Sequence, residues 1–150
     1  MARRTHCLSQ FPTRQLHLRR RHRRLAAQCD EQVYGIGKQL DLSFLRNLEV
    51  IQTRIGLYQV QFAFTEDVCL SVEGRFRYSS GGEAIDWLPG ATKAASAVVN
   101  LLGSTVTDVR VPNVETLELS FSNGDSLEVF DNSKEYESFT ITRPGVTIVV

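Results

Sequence analysis

The sequence predicts an α+β fold: a β-rich, predominantly antiparallel sheet built from two related strand-hairpin units, with one main helix over about residues 91–102 packed on it. Three observations carry this expectation. Apolar and polar residues alternate along several runs, as half-buried strands require. An Asn123-Gly124 pair between two such runs favours a tight hairpin turn. The stretch "GATKAASAVVNLLG" sets Ala94, Ala95, Val98, Leu101 and Leu102 at helical spacing, with Gly103 placed to end it.

Taken in order, "YQVQFAF" puts Tyr58, Val60, Phe62 and Phe64 on one face and Gln59, Gln61 and Ala63 on the other. The next run continues from Val68 to Tyr78, with Val68, Leu70, Val72, Phe76 and Tyr78 inward and Cys69, Ser71, Glu73, Arg75 and Arg77 outward. The intervening "TED" is short enough to make the two a hairpin. "SSGGE" reads as a turn and "WLPG" as a loop leading to the helix. Beyond the helix, Leu117, Leu119 and Phe121 alternate with Thr116, Glu118 and Ser120, and Leu127 and Val129 continue the buried face after the Asn-Gly turn. Two last strands, "ESFTIT" with Phe139 and Ile141 inward and "VTIVV", flank the turn "RPG".

The two halves align on each other. "LRNLEVIQTRI" at 45–55 matches "LLGSTVTDVRV" at 101–111, and "VQFAFTEDVCLSV" at 60–72 matches "LELSFSNGDSLEV" at 117–129. The expected organisation is an N-terminal extension over 1–32 and a single domain over 33–150, with an internal repeat at about 45–72 and 101–129.

The charge divides along the same line. The whole chain balances 17 Lys+Arg against 17 Asp+Glu, but residues 1–24 hold eight arginines, all three histidines and no carboxylate. From about Leu25 onward the remainder is 17 − 8 = 9 basic against 17 acidic residues, a net of −8. The basic segment has three readings: a disordered extension without apolar period, an organelle transit peptide, and a polyanion-binding arm in which Arg19, Arg20, Arg21, Arg23 and Arg24 displace counterions. Arginines interrupt any secretory apolar core, and no run approaches the roughly 20 apolar residues of a membrane-spanning helix. Cys7, Cys29 and Cys69 form no disulfide framework, so the cytoplasm is the expected compartment.

The string "LLGSTVTDVRV…LELSFSNGDSLEVFDNSKEYESFTI" resembles small bacterial domains of unknown function. Their pattern is a helix ending in Leu-Gly, a strand, an L-x-F-x-[DN]-G-x-x-L-x-V hairpin and then Tyr-Glu-Ser or Tyr-Glu-Ala. The resemblance covers roughly residues 40–150. It implies a compact α+β fold without established enzymatic activity, and some such acidic domains look like immunity proteins of bacterial toxin systems.

The domain contains no histidine, which removes the usual near-neutral general base. Cys69 lies on the outward face of a strand with Glu73, a poor setting for a thiolate. Asp125 and Asp131 are too far apart along an extended strand to share a proton, and read as solvated or edge-protecting charge. "DNSKEYE" only faintly resembles a calcium loop, because Tyr136 stands at the glycine position; it reads as a turn from which Tyr136 buries its ring. Gly35-Ile36-Gly37 reads as a flexible junction. Trp87 is either an exposed aromatic anchor or a core residue, the second being the commoner use of a lone tryptophan.

No catalytic residue, metal ligand or cofactor follows from these residues. Two functions of different class remain. The first is a non-enzymatic interaction domain, an immunity-type inhibitor in its sharpest form, that presents Glu66, Asp67, Trp87, Glu118, Glu128, Asp131 and Tyr136 to a basic protein. The second is nucleic-acid or anionic-surface binding through the arginine-rich arm. The oligomeric state is open: the Val68–Tyr78 run could leave a free edge, which Arg75 and Arg77 discourage.

Overall fold

The computed structural model describes residues 35–37 and 39–150; the segment read as the N-terminal extension lies outside them. Ten strands follow in order: β1 (Val50–Ile55), β2 (Val60–Phe64), β3 (Cys69–Val72), β4 (Arg75–Ser80), β5 (Glu83–Trp87), β6 (Val106–Asn113), β7 (Thr116–Phe121), β8 (Ser126–Phe130), β9 (Phe139–Arg143) and β10 (Val146–Val149). They form two five-stranded sheets, β1-β2-β3-β9-β10 and β5-β4-β8-β7-β6, in which every pairing is antiparallel.

The α+β expectation is therefore corrected to an all-β architecture. Residues expected to form the main helix make one α-turn, Thr92–Ala95, and then a 3-10 segment, Ser96–Leu101. The physical reason lies in the spacing of what is buried. Ala95, Val98 and Leu101 are fully buried and stand three residues apart, which suits the three-residue turn of a 3-10 helix. The segment has no side-chain N-cap, contains the β-branched pair Val98-Val99, and is shorter than the roughly 12–15 residues at which a helix becomes stable by itself.

The Val68–Tyr78 run is not one strand. It breaks at Glu73-Gly74, where the chain leaves the first sheet for the second. The Ser138 carbonyl accepts both the Glu73 and Gly74 N–H groups, at 3.0 and 2.8 Å. A Cβ on Gly74 would come within 3.2 Å of the Ser138 Cβ and 3.3 Å of its Cα. Glycine suits that place because the crossover between β8 and β9 packs closely against it, and a side chain would have to push Ser138 aside by a few tenths of an ångström. Both β3 and β4 are interior strands, so the free edge expected in this run does not exist.

Each sheet thus joins a meander from one half of the chain to a hairpin from the other: β1-β2-β3 with β9-β10, and β6-β7-β8 with β4-β5. Val72 pairs with Phe139 where Val129 pairs with Phe76. Backbone hydrogen bonds repeat the relation: Val50 N–H to Ser104 O is matched by Val106 N–H to Leu48 O, and Asn47 N–H to Val106 O by Gly103 N–H to Val50 O. Asn47 and Gly103, equivalent in this relation, have φ of 67° and 77°. Glu49 and Thr105, also equivalent, bridge to each other.

The core lies between the two sheets and takes the inward residues of both, including Phe62, Phe64, Leu70, Phe139 and Ile141 from the first and Phe76, Leu117, Leu119, Leu127 and Val129 from the second. Phe62 meets Phe76 edge-on across the interface, ring centroids 6.1 Å apart, and Trp87 stacks on Phe76 at 5.1 Å. Tyr58, expected inward, precedes β2 and is 68% exposed. Gly35-Ile36-Gly37 is anchored rather than a flexible junction: Ile36 is buried, its N–H donates to Val114 O, and the Gly35 N–H donates to Asp131 Oδ2.

Candidate interaction surface

Glu49 immediately precedes β1. Its N–H donates to Thr65 Oγ1 at 3.1 Å and its carbonyl accepts the Thr65 N–H at 2.9 Å, so the start of β1 is clipped to the β2–β3 turn. The next two turn residues, Glu66 and Asp67, are exposed and left-handed, with φ of 62° and 57°. The strand register leaves little room between β2 and β3, and a tight connection between twisted strands favours this conformation. Three carboxylates are brought to one end of the molecule. Among the described residues none of the three has an ion-pair partner.

Asp86, Asp108 and Glu128 are ion-paired within the fold. On the outer face of the second sheet, strand register lines up Arg110, Glu118, Glu128, Arg77 and Asp86 across all five strands. Glu118 lies directly opposite Glu128, an unfavourable like-charge pair that Arg110 and Arg77 flank. Arg77 donates to Asp86 at 2.8 Å and approaches Glu128 at 4.0 Å, and Arg75 reaches Asp86 at 3.3 Å while covering the Phe130 ring. The hydrogen bond from Arg77 holds the Asp86 carboxyl below its usual range. Asp108 is held down by Arg110 in the same way, with Arg46 on its other oxygen. Among the described residues, no group of three His, Cys, Asp or Glu side chains is arranged to hold a metal ion.

Residues 42–150 match the Family of unknown function (DUF6188). The chain belongs to that family. The match supports the expectation of a family of unknown function, and the DUF6188 region takes in all ten strands together with Glu49, Glu66 and Asp67. No match was found among the curated proteins or among the solved structures.

Within the DUF6188 region the remaining candidate residues separate. Trp87 has no exposed surface, and it is a core residue rather than an anchor. Its indole Nε1 is the one buried side-chain polar atom among the described residues without a hydrogen-bond partner. Asp131 is also withdrawn from the surface at 9% exposure, accepting from Ser138 Oγ at 2.8 Å and from the Gly35 N–H. Asp125, read as solvated charge, is buried and accepts from the Tyr78 hydroxyl and from Asn123 Nδ2. Tyr136 does not bury its ring. It is 77% exposed, between Glu135 and Glu137, on a turn held by Ser133 Oγ.

Burial raises the Cys69 thiol, which disfavours the thiolate. Arg19, Arg20, Arg21, Arg23 and Arg24 lie outside the described residues. Glu49 was missed in the sequence reading because its link to Thr65 is made by strand pairing, and no local signal marks it.

Proposed function

We propose that the domain is a non-enzymatic interaction module that binds a basic protein partner through Glu49, Glu66 and Asp67. The supporting observation is that these three exposed carboxylates share one end without an arginine or lysine partner among the described residues, whereas Asp86, Asp108 and Glu128 are paired within the fold. Residues 35–150 carry 15 acidic and 9 basic side chains, a net of 9 − 15 = −6, so the field of the domain adds to that of the pole. Such a field steers a basic partner and selects against acidic ones. The sharpest form of the reading is a bacterial, cytoplasmic, immunity-type inhibitor of a basic toxin.

The test is affinity capture with the full chain and with a Glu49→Gln/Glu66→Gln/Asp67→Asn variant of unchanged circular dichroism. The wild-type chain recovers a stoichiometric basic protein, the variant loses it, and capture weakens as salt rises. Recovery of no basic partner, or equal recovery by the variant, contradicts the reading.

A further inference from the structure

Among the asparagines of the chain, Asn47, Asn100, Asn113, Asn123 and Asn132, only Asn123 is followed by glycine. That pairing carries a covalent chemistry of its own. The backbone nitrogen after an asparagine can close a five-membered ring on the side-chain amide carbon, and a glycine offers that nitrogen with no Cβ beside it. Asn123 and Gly124 are exposed at the β7–β8 turn, and no atom lies within 4 Å of where a Cβ on Gly124 would stand.

The folded turn holds both reacting groups in other bonds. The Gly124 N–H donates to Phe121 O at 3.0 Å. Asn123 Oδ1 accepts the Asp125 N–H at 3.0 Å, while Nδ2 donates to Asp125 Oδ2 at 2.8 Å and to Asn100 O at 3.3 Å. Ring closure therefore requires the nitrogen to leave Phe121 and the amide to leave three partners. We infer that Asn123 is a deamidation site gated by the β7–β8 turn, held back while the turn is formed and reactive once it opens, and that neither product can rebuild the turn.

The reaction needs only water. The Gly124 nitrogen loses its proton and bonds to Asn123 Cγ, the Cγ–Nδ2 bond breaks, and the side-chain nitrogen leaves as ammonia carrying that proton. Water then opens the succinimide. Cleavage at Cγ leaves an aspartate at position 123, and cleavage at the main-chain carbonyl carbon leaves an isoaspartate whose chain runs through Cβ. One water is consumed, one ammonia is released, and no oxidation state changes.

Both products conflict with what surrounds them. An aspartate puts an acceptor where a donor stood against Asp125, a carboxylate that is only 7% exposed and also receives the Tyr78 hydroxyl. Two carboxylates at that spacing repel with little solvent screening. An isoaspartate lengthens the main chain between Phe121 and Asp125, whose N–H to C=O bond of 2.9 Å closes the hairpin. Either product also loses the bond to Asn100 O that ties the 3-10 segment to the turn. Conversion thus runs one way and marks chains in which this hairpin has opened. The equivalent turn between β2 and β3 has Glu66-Asp67, with neither the amide nor the glycine.

The test follows deamidation of the full chain in native buffer and in guanidinium, both mildly alkaline, with the site and the product read by peptide mass spectrometry. Asn123 converts about tenfold or more faster in the unfolded chain than in the folded one, and ahead of the other asparagines. Tyr78→Phe, which takes one donor from Asp125, speeds conversion in native buffer and leaves the unfolded rate unchanged. Asn123→Asp, one of the two products, unfolds at lower urea than the wild type. Equal rates in the two buffers, an Asn123 that survives unfolding while other asparagines convert, a native rate untouched by Tyr78→Phe, or an Asn123→Asp chain as stable as the wild type each overturns the inference.

Discussion

Tyr78 on β4 donates its hydroxyl to the Asp125 carboxylate at the β7–β8 turn, with both groups buried. Asn123 Nδ2 donates to the same carboxylate oxygen at 2.8 Å. A hairpin from the first half of the chain is thereby fastened to the turn of the second half. Removing the hydroxyl leaves a buried carboxylate short of a donor, which costs about 1.5–3 kcal/mol for a bond to a charged group. Tyr78→Phe is expected to lower the unfolding free energy by that amount in urea, with an unchanged m-value.

The same contact has an alkaline signature. Burial, reinforced by the bond to Asp125, raises the Tyr78 hydroxyl above the ordinary tyrosine value. A raised folded value means that this contribution is complete below about pH 10 and is lost as pH climbs through the folded value. Ultraviolet titration should show a tyrosine step above the ordinary tyrosine value, and Tyr78→Phe should remove that late step.

The β2–β3 turn holds two consecutive non-glycine residues in the left-handed region, Glu66 and Asp67. The β7–β8 turn has Gly124 at φ 90° in the place of Asp67. A left-handed side-chain residue costs roughly 1–2 kcal/mol, part of which glycine returns as unfolded-state entropy. Glu66→Asn with Asp67→Gly should therefore stabilise the domain by about 1 kcal/mol in thermal or urea unfolding. It should also weaken capture of a basic partner, a trade expected where carboxylates are kept at a strained turn for binding.

Asp86 is held below the ordinary carboxyl value of 3.8 by its hydrogen bond from Arg77. A depressed folded value gives stability that is present above 3.8 and lost as pH falls through the folded value. Both side chains are more than a third exposed, so the effect stays within about 1 kcal/mol and shrinks in salt. Asp86→Asn should flatten the acid limb of the stability profile below about pH 4 and leave the alkaline limb unchanged.

Trp87 reports on the core directly, being the chain's only tryptophan and fully buried against Phe76. Its emission should be blue-shifted and resistant to iodide quenching in the native state. Trp87→Ala should cost about 3–5 kcal/mol, the range for a large aromatic removed from a packed interior.

The inward positions were legible because alternation records which side of a strand is buried: Phe62, Leu70, Leu119, Val129 and Ile141 all face the core as their spacing required. Alternation does not record which sheet a strand joins. Val72 and Phe76 are both inward and stay in phase across Gly74, so the periodicity runs straight through the crossover. The change of sheet coincides with the close contact of Gly74 with Ser138, far away in sequence. The segment around Ala95, Val98 and Leu101 misled because those positions satisfy both a 3.6- and a three-residue period. β5 escaped notice because Glu83–Asp86 are exposed throughout and leave no apolar period. Of the interaction surface, Glu66 and Asp67 were visible as a turn. Asp131 was not separable from surface residues until its burial was known, whereas a core place for Trp87 was already the commoner expectation for a lone tryptophan.

The most direct test of the account is backbone amide shift mapping of the isotope-labelled full chain, titrated with a hexa-arginine peptide as the basic probe. The account predicts saturable shifts centred on Glu49, Thr65, Glu66 and Asp67, abolished by Glu49→Gln/Glu66→Gln/Asp67→Asn and weakened by salt. Shifts centred instead on the Glu118–Glu128 row, or shifts that persist unchanged in that variant, would contradict it.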